Sequence, residues 1–324
     1  MVGAVLVHEG RIIGEGWHNQ YGGPHAEVNC LNSVSVADKG LISVSTLYVS
    51  LEPCVHFGKT PPCANLIIQN RIPKVVIGCC DPFEQVNGKG IEKLKNAGID
   101  VRTSLLEHEC LHLNKRFFTF HTKHRPYIIL KWAQTANGMI GSGTKERLLI
   151  SNELSNRMVH QWRSEEAAIL VGTNTALQDD PSLTNRFWTG SNPVRMVIDK
   201  DLRLPAHLQL FNQQQKTIVF NTQKQDENGN ILYCKINSNE NILTQIMDTA
   251  YKMGIQSILV EGGSKLLQSF IDANQWDEAM VIQNEKLKIK NGIAAPMFHQ
   301  QNPYNNQIIQ SDTINFYTNK QVNQ

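Results

Sequence analysis

The sequence predicts two successive α/β domains, and three observations carry that expectation. At 324 residues the chain is long for a single hydrophobic core. Strand-like and helix-like segments alternate along its first half. The composition then turns polar at 121–126, and a second alternating series of a different pattern follows. Strands separated by helices imply mainly parallel sheets with helices on their faces.

In the first series, Gly3 to Val7 and Arg11 to Trp17 are β-rich runs joined by His8-Glu9-Gly10, the pattern of a hairpin. The segment from His25 to Val34 reads as a helix, Thr46 to Leu51 as a buried strand, and Pro61 to Asn70 as a helix with proline at its start. Lys74 to Gly78 is a further apolar strand, Ile91 to Ala97 a helix ending at Gly98, Asp100 to Thr103 a strand, and Glu107 to Phe120 one longer helix. The linker falls at His121 to Pro126, so the domains are expected at 1–122 and 123–324. The second series has strands at Tyr127 to Ala133, Ala167 to Gly172, Val194 to Asp199 and Ser257 to Val260. Helices are expected at Asn152 to Arg163, Ile242 to Met253, and from Gly262-Gly263 onward; the polar stretch Asn221 to Asn230 reads as a surface loop. The two halves show no internal repeat.

Bulk composition narrows the function. The 31 basic and 29 acidic residues nearly cancel, which leaves no electrostatic footprint for a nucleic-acid partner. Basic stretches such as Lys123-His124-Arg125 read as solvated linker. No apolar run reaches the roughly 20 residues that span a bilayer, and the N-terminus lacks a charged signal region. Seven cysteines is an odd number in a chain too large to need disulfide staples, so a reducing, cytoplasmic location is expected, where clustered cysteines bind metal or do chemistry. Cys30, Cys110 and Cys234 lie apart from any cluster and read as small buried residues.

The sharpest chemical signal is His25-Ala26-Glu27, followed by Pro53-Cys54 and then Cys63 after Pro61-Pro62. Thiolate and imidazole are the ligands Zn²⁺ prefers, and three of them leave a fourth position open to water, whose pKa the metal lowers towards neutrality. Glu27, two residues from a ligand, is placed to carry a proton from that water to a ring nitrogen and on to a leaving amine. A closed structural zinc site is the alternative; it needs a fourth protein ligand, for which His56, Cys79 and Cys80 are available. The arrangement resembles the His-x-Glu and Pro-Cys-x-x-Cys signature of zinc nucleobase deaminases, with one departure: eight residues, not two, separate the cysteines.

That departure makes the resemblance more specific. Glu52-Pro53-Cys54-Val55-His56-Phe57-Gly58-Lys59-Thr60-Pro61-Pro62-Cys63 closely resembles the pyrimidine deaminases of riboflavin biosynthesis, and Val2-Gly3-Ala4-Val5, Gly14-Glu15-Gly16-Trp17-His18 and Gly78-Cys79-Cys80-Asp81-Pro82 continue the match. The resemblance covers nearly the whole chain. It implies a cytidine-deaminase-like three-layer α/β/α domain followed by a dihydrofolate-reductase-like α/β domain. The implied substrate is a diaminopyrimidine bearing a ribose phosphate, and domains of this kind commonly associate into homo-oligomers. It places His18, His56, Lys59, Thr60, Asp81 and Asn87 at the deaminase substrate. On their own, His18 and His56 read as surface or capping residues. Lys59 and Thr60 precede a helix start, a place that favours the phosphate dianion. The resemblance also implies a further helix and a Pro-Asn-Pro turn ahead of the Val2–Val5 strand, whose Asn helps to hold substrate. Here that strand follows Met1 directly; either the start is placed too late, or the helix is absent, exposing part of the sheet and weakening the deaminase site.

The second half carries the matching segments Leu130-Lys131-Trp132-Ala133, Asn137-Gly138, Ile150-Ser151, Trp162-Arg163, Ile169 to Arg186 and Val260-Glu261-Gly262-Gly263-Ser264. By the same resemblance it is an NADPH-dependent reductase that converts the ribosyl side chain to ribityl. Ala133, Thr175, Asp179, Gly262, Gly263 and Ser264 would face NADPH, and Arg163, Leu183, Arg186 and Glu261 the substrate. Read alone, Asp179-Asp180-Pro181 is a turn, Arg163 a helix-terminal charge, and Gly262-Gly263 a strand-to-helix corner. No G-x-G-x-x-G run supports a standard Rossmann fold. Two positions depart from the family pattern: Asn137 replaces Asp, and Leu149 stands where Trp is common. A base deaminase acting on RNA or free nucleosides, with the second half as a binding module, is the competing reading; the near-neutral charge and the long cysteine spacing oppose it.

Overall fold

The computed structural model describes residues 1–20, 22–57, 61–144, 148–298 and 301–320. The chain divides into two compact units, Met1–Lys123 and His124–Gln324.

The first unit is built on a five-stranded sheet of order β2-β1-β3-β4-β5. Its strands are β1 (Gly3–His8), β2 (Arg11–Trp17), β3 (Thr46–Leu51), β4 (Lys74–Cys79) and β5 (Asp100–Arg102). The hairpin β1–β2 is antiparallel, as is β1–β3, whereas β3, β4 and β5 run parallel. The expected parallel sheet therefore holds for the last three strands, and a hairpin forms the other edge because the two residues Glu9-Gly10 cannot cross over a sheet face. Central β4 is covered on both faces, which explains its unbroken apolar run from Val75 to Ile77. Helix α1 (Ala26–Ser33) lies on β2. It can do so only because the facing positions are glycines: a Cβ on Gly16 would sit 2.3 Å from the Cys30 amide nitrogen, and one on Gly14 2.6 Å from the Cys30 carbonyl. Helices α2 (Cys63–Gln69) and α3 (Lys89–Asn96) follow. The single long helix expected over 107–120 is two, α4 (Glu107–Leu113) and α5 (Lys115–Lys123). The break is at buried Asn114, whose side chain accepts from the chain's terminal amine. The expected linker is likewise helical as far as Lys123, since Phe117, Phe118 and His121 pack ring on ring along that turn.

The second unit holds a ten-stranded sheet. Its members in chain order are β6 (Tyr127–Thr135), β8 (Ala168–Gly172), β9 (Val194–Ile198), β10 (Thr217–Asn221), β11 (Asp226–Asn228), β12 (Ile231–Lys235), β13 (Ser257–Val260), β14 (Glu278–Asn284), β16 (Asn305–Ile309) and β17 (Asp312–Thr318). Strands β7 (Met139–Gly141) and β15 (Ile293–Ala294) pair separately. The order is β11-β12-β10-β9-β8-β13-β6-β14-β17-β16. The seven strands from β12 to β14 run parallel, and antiparallel β11, β17 and β16 close the edges. The stretch expected as a loop at 221–230 thus contains a short edge strand whose residues are fully exposed, which is why its composition gives no strand signal. Helices α6 (Glu153–Glu165), α7 (Thr173–Asp179), α8 (Ile242–Lys252) and α9 (Ser264–Asp272) connect the strands. The C-terminal ends of β8, β13 and β6 open into one large cavity.

A zinc-ligand cluster and a reductase cavity

His25 stands at the N-cap of α1 with extended backbone, and Glu27 is in the first turn. The glycine-lined approach of α1 to β2 thereby fixes both side chains. Cys54 follows the end of β3, and Cys63 opens α2. The chain meets Cys54 again at residue 63: the Cys63 amide donates to the Cys54 sulfur at 3.4 Å, and the Ala64 amide to the Cys54 carbonyl at 3.1 Å. The long spacing therefore brings the two thiols together as a short one would.

His25 Nδ1 lies 3.5 Å from Cys54 Sγ and 3.4 Å from Cys63 Sγ. Tetrahedral zinc with ordinary Zn–S and Zn–N bonds separates such ligands by roughly 3.5 Å, so the donor set fits that ion. Among the described residues the metal-ligating group is these three alone; His56, Cys79 and Cys80 do not join it. The Cys79 thiol instead donates to the Ser50 carbonyl. A hydrogen bond from the Cys63 thiol, with His25 alongside, outweighs burial and holds the Cys54 thiol down at about 4. Glu27 is 3% exposed, and burial raises its carboxyl above the ordinary range, with the neighbouring Cys54 adding to the shift. A carboxyl group so placed gains and loses a proton nearer to neutrality, as an acid–base group should.

Around this cluster, His18 presents its ring edge to His25 at 5.3 Å and is fixed through Nδ1 to the Pro24 carbonyl. His56 is half-buried against the Phe83 ring, and its Nδ1 is buried with no hydrogen-bond partner among the described residues. Asp81 is buried, and its carboxylate accepts from the Phe83 amide at 2.8 Å. Burial pushes that carboxyl up to about 6. Asn87 is exposed on the same segment. Lys59 and Thr60 lie outside the described residues. Glu52 is a buried carboxylate that the sequence reading passed over; its place in a Glu-Pro-Cys run beside a ligand was the available signal.

The cavity of the second unit measures about 1440 Å³ and is lined by Ala133, Thr175, Asp179, Gly262, Gly263 and Ser264, together with Arg163, Leu183 and Glu261. Glu261, at the end of β13, is gripped by Arg163 of α6 through two bonds of 2.7 Å, with Lys131 Nζ at 3.7 Å. Burial alone would raise this carboxyl, but the two cations overcome it and hold it down at about 2. Arg163 also donates to the Thr184 carbonyl. Leu183 is buried in a left-handed conformation (φ 48°), which is costly for a branched side chain and places it on the cavity wall. Arg186 is exposed, bonds the Ser182 and Thr184 hydroxyls, and is not among the lining residues. Gly262 has φ 123°, a conformation that favours glycine, and a Cβ on Gly263 would crowd the Thr175 hydroxyl at 3.0 Å.

The two departures are accommodated differently. Asn137 donates to the Ile289 carbonyl at 2.7 Å and accepts from Thr135, a pair of roles that an ionised Asp could not fill. Leu149 lines the cavity at 76% exposure.

Residues 1–79 match the cytidine and deoxycytidylate deaminase zinc-binding region, and residues 126–287 match the RibD C-terminal domain. The riboflavin biosynthesis protein RibD of Aquifex aeolicus is 40% identical over 295 residues, covering 88% of this chain and 81% of that relative. The chain belongs to the RibD family. RibD of Synechocystis is 37% identical over 91% of the chain and 80% of its own length. Among solved structures, the diaminohydroxyphosphoribosylaminopyrimidine deaminase/5-amino-6-(5-phosphoribosylamino)uracil reductase of Thermotoga maritima superposes with a TM-score of 0.88 at 35% identity, covering 98% of this chain and 91% of that one. RibD of Acinetobacter baumannii gives 0.86 at 28% identity and the same coverage. The RibD assignment makes this a bifunctional deaminase/reductase of riboflavin biosynthesis, with a cytidine-deaminase-like first domain that holds a His/Cys/Cys zinc site and a dihydrofolate-reductase-like second domain.

Proposed function

We propose that the first unit hydrolyses the 2-amino group of 2,5-diamino-6-(5-phosphoribosylamino)pyrimidin-4(3H)-one, and that the second reduces the ribosyl side chain of the product to ribityl with NADPH. The observation that carries the reading is the convergence of His25, Cys54 and Cys63 beside a buried carboxyl, Glu27, in a chain that is similar to RibD over most of its length.

His25, Cys54 and Cys63 would hold the zinc ion, which when bound would supply a water acidified towards neutrality. Glu27 takes one proton from the attacking water and passes it to the ring nitrogen beside the attacked carbon, then takes the second from the hydroxyl left on that carbon and gives it to the departing amine. The balance is water and C–NH₂ in, C=O and ammonia out. Burial, which raises the Glu27 carboxyl, makes it a competent donor for the last step. His18, His56, Asp81 and Asn87 hold the pyrimidine in this reading, with Lys59 and Thr60 taking the phosphate.

A nicotinamide bound in the second unit would supply the hydride. Ala133, Thr175, Asp179 and the Gly262-Gly263-Ser264 turn hold that cofactor, the glycines admitting a phosphate close to the main chain at the start of α9. Arg163, Leu183, Glu261 and Arg186 hold the substrate. Glu261 keeps the Arg163 guanidinium oriented, and the Arg186 fork suits a phosphate. The enzyme works as a homo-oligomer in the cytoplasm, a reading supported by the family's tendency to associate and by seven cysteines that are all unpaired. Among the described residues no helix is long and apolar enough to cross a membrane.

The test is direct. Purified zinc-loaded protein is given the diaminopyrimidine phosphate, and ammonia is followed first, then NADPH absorbance. Ammonia release followed by NADPH oxidation is the expected sequence; no ammonia from zinc-replete protein overturns the first step, and ammonia without NADPH oxidation overturns the second.

A further inference from the structure

Glu52 immediately precedes Pro53-Cys54 and is 3% exposed. Each of its carboxylate oxygens accepts two main-chain hydrogen bonds. Oε1 receives the amides of Gly90 at 2.8 Å and Ile91 at 3.2 Å; Oε2 receives those of Gly88 at 2.9 Å and Asp81 at 3.2 Å. Gly88 is the N-cap of α3, and Gly90 and Ile91 lie in its first turn, where amides have no partner within the helix. Gly88 has no side chain to cap them, so a carboxylate from another strand does so, and its charge meets the positive end of the helix. The fit leaves no slack: a Cβ on Gly90 would stand 2.2 Å from the Pro53 carbonyl. One side chain thus ties both ends of the 81–91 segment to the strand end that leads into the zinc ligand Cys54.

We propose that Glu52 is a positioning residue of the deaminase, fixing Asp81 relative to Cys54 through these four main-chain bonds. The inference rests on the reading of Asp81 as a pocket residue. That reading is supported by Phe83, which is bonded to the Asp81 carboxylate and carries the His56 ring on its edge. Glu52 touches no reacting atom; it acts through the placement of Asp81.

The experiment uses the full-length chain and three variants, Glu52→Gln, Glu52→Asp and Gly90→Ala, with Asp81→Ala as reference. Zinc per chain, ammonia-release kcat and KM, and NADPH oxidation of the deaminated substrate are measured. Glu52→Gln turns an amide NH₂ towards two N–H donors, so two bonds are lost. Leaving buried amides unmatched costs enough to raise KM about tenfold. Zinc content, NADPH oxidation and kcat (within about threefold) are expected to hold. Glu52→Asp keeps both oxygens and recovers part of the KM. Gly90→Ala sets a methyl group against the Pro53 carbonyl and the Glu52 side chain, pushes α3 off the carboxylate with Glu52 itself retained, and gives the same KM signature. The double variant Glu52→Gln/Asp81→Ala is expected to show a KM no worse than that of Asp81→Ala. A purely structural role would lower kcat in proportion to folded or zinc-loaded protein at unchanged KM, and that result overturns the proposal. Wild-type KM in Asp81→Ala removes Asp81 from the pocket and the inference with it. A raised KM in Asp81→Ala beside wild-type values for Glu52→Gln overturns the role of Glu52 alone.

Discussion

Glu27 combines burial with a place in the first turn of the helix that His25 caps. Glu27→Gln keeps the shape and loses the proton, so ammonia release is expected to fall about a hundred- to ten-thousandfold while zinc content, read by metal analysis, stays at the wild-type level. His160 offers a separate pH prediction. Burial, with Arg163 and Arg186 nearby, lowers its ring to about 4, and its Nδ1 accepts from the Arg186 amide at 2.9 Å. Between that value and the ordinary histidine range the unfolded chain binds a proton that the folded chain refuses. Stability from this residue is therefore complete above about pH 6.5 and is lost as pH falls towards 4, by at most about 3 kcal/mol. Denaturant titrations between pH 7 and 4.5 should show the loss, and His160→Gln should flatten it. At this scale the metal ligands and Glu27 were legible in the sequence, because ligand chemistry restricts residue types and the His-x-Glu spacing is local. Glu52 and His160 were not. Their partners are main-chain amides 26 to 39 positions away, and an amide leaves no mark in a sequence.

Helices and strands place these residues through contacts at their ends. Asn152 caps α6 by accepting from the Ser155 amide, and its NH₂ donates to the Ile309 carbonyl. Asn152→Ala should cost about 1–2 kcal/mol, read as a lower denaturation midpoint, with ammonia release unchanged at temperatures where the protein stays folded. Gly263→Ala forces a methyl group to 3.0 Å from the Thr175 hydroxyl at the proposed cofactor turn. A KM for NADPH raised about tenfold or more is expected, since the Thr175 hydroxyl must give way at the proposed cofactor turn; an unchanged KM would remove this turn from the cofactor site. Strands with continuous apolar runs, such as β4, β8 and β13, were legible from the sequence, as was the helix expected from Asn152. Strands β10, β12, β14 and β17 escaped. Each is only five to seven residues long, and a short apolar or alternating run fits strand, loop and helix alike until a neighbour pairs with it. The break at Asn114 escaped for a related reason: the apolar spacing continues through it, and the interruption comes from a side chain engaged by a residue 113 positions away.

The whole molecule carries two chemistries in two compact units, each with its own core. Stripping zinc with a chelator is expected to abolish ammonia release and to leave NADPH oxidation of the deaminated substrate intact, because all three ligands of the cluster found among the described residues lie in the first unit. Joint loss of both activities would show that the units depend on one another. The sequence by itself determined the number of domains, the metal-ligand residue types and the kind of reaction they serve. Those follow from chain length, local spacing and the chemical preferences of a few side chains. Tertiary structure alone decided that Cys63 meets Cys54 despite their long spacing, that glycines on β2 admit α1, and that buried carboxylates clamp distant segments. Such facts depend on which main-chain groups meet across the fold, and every residue type carries the same main chain.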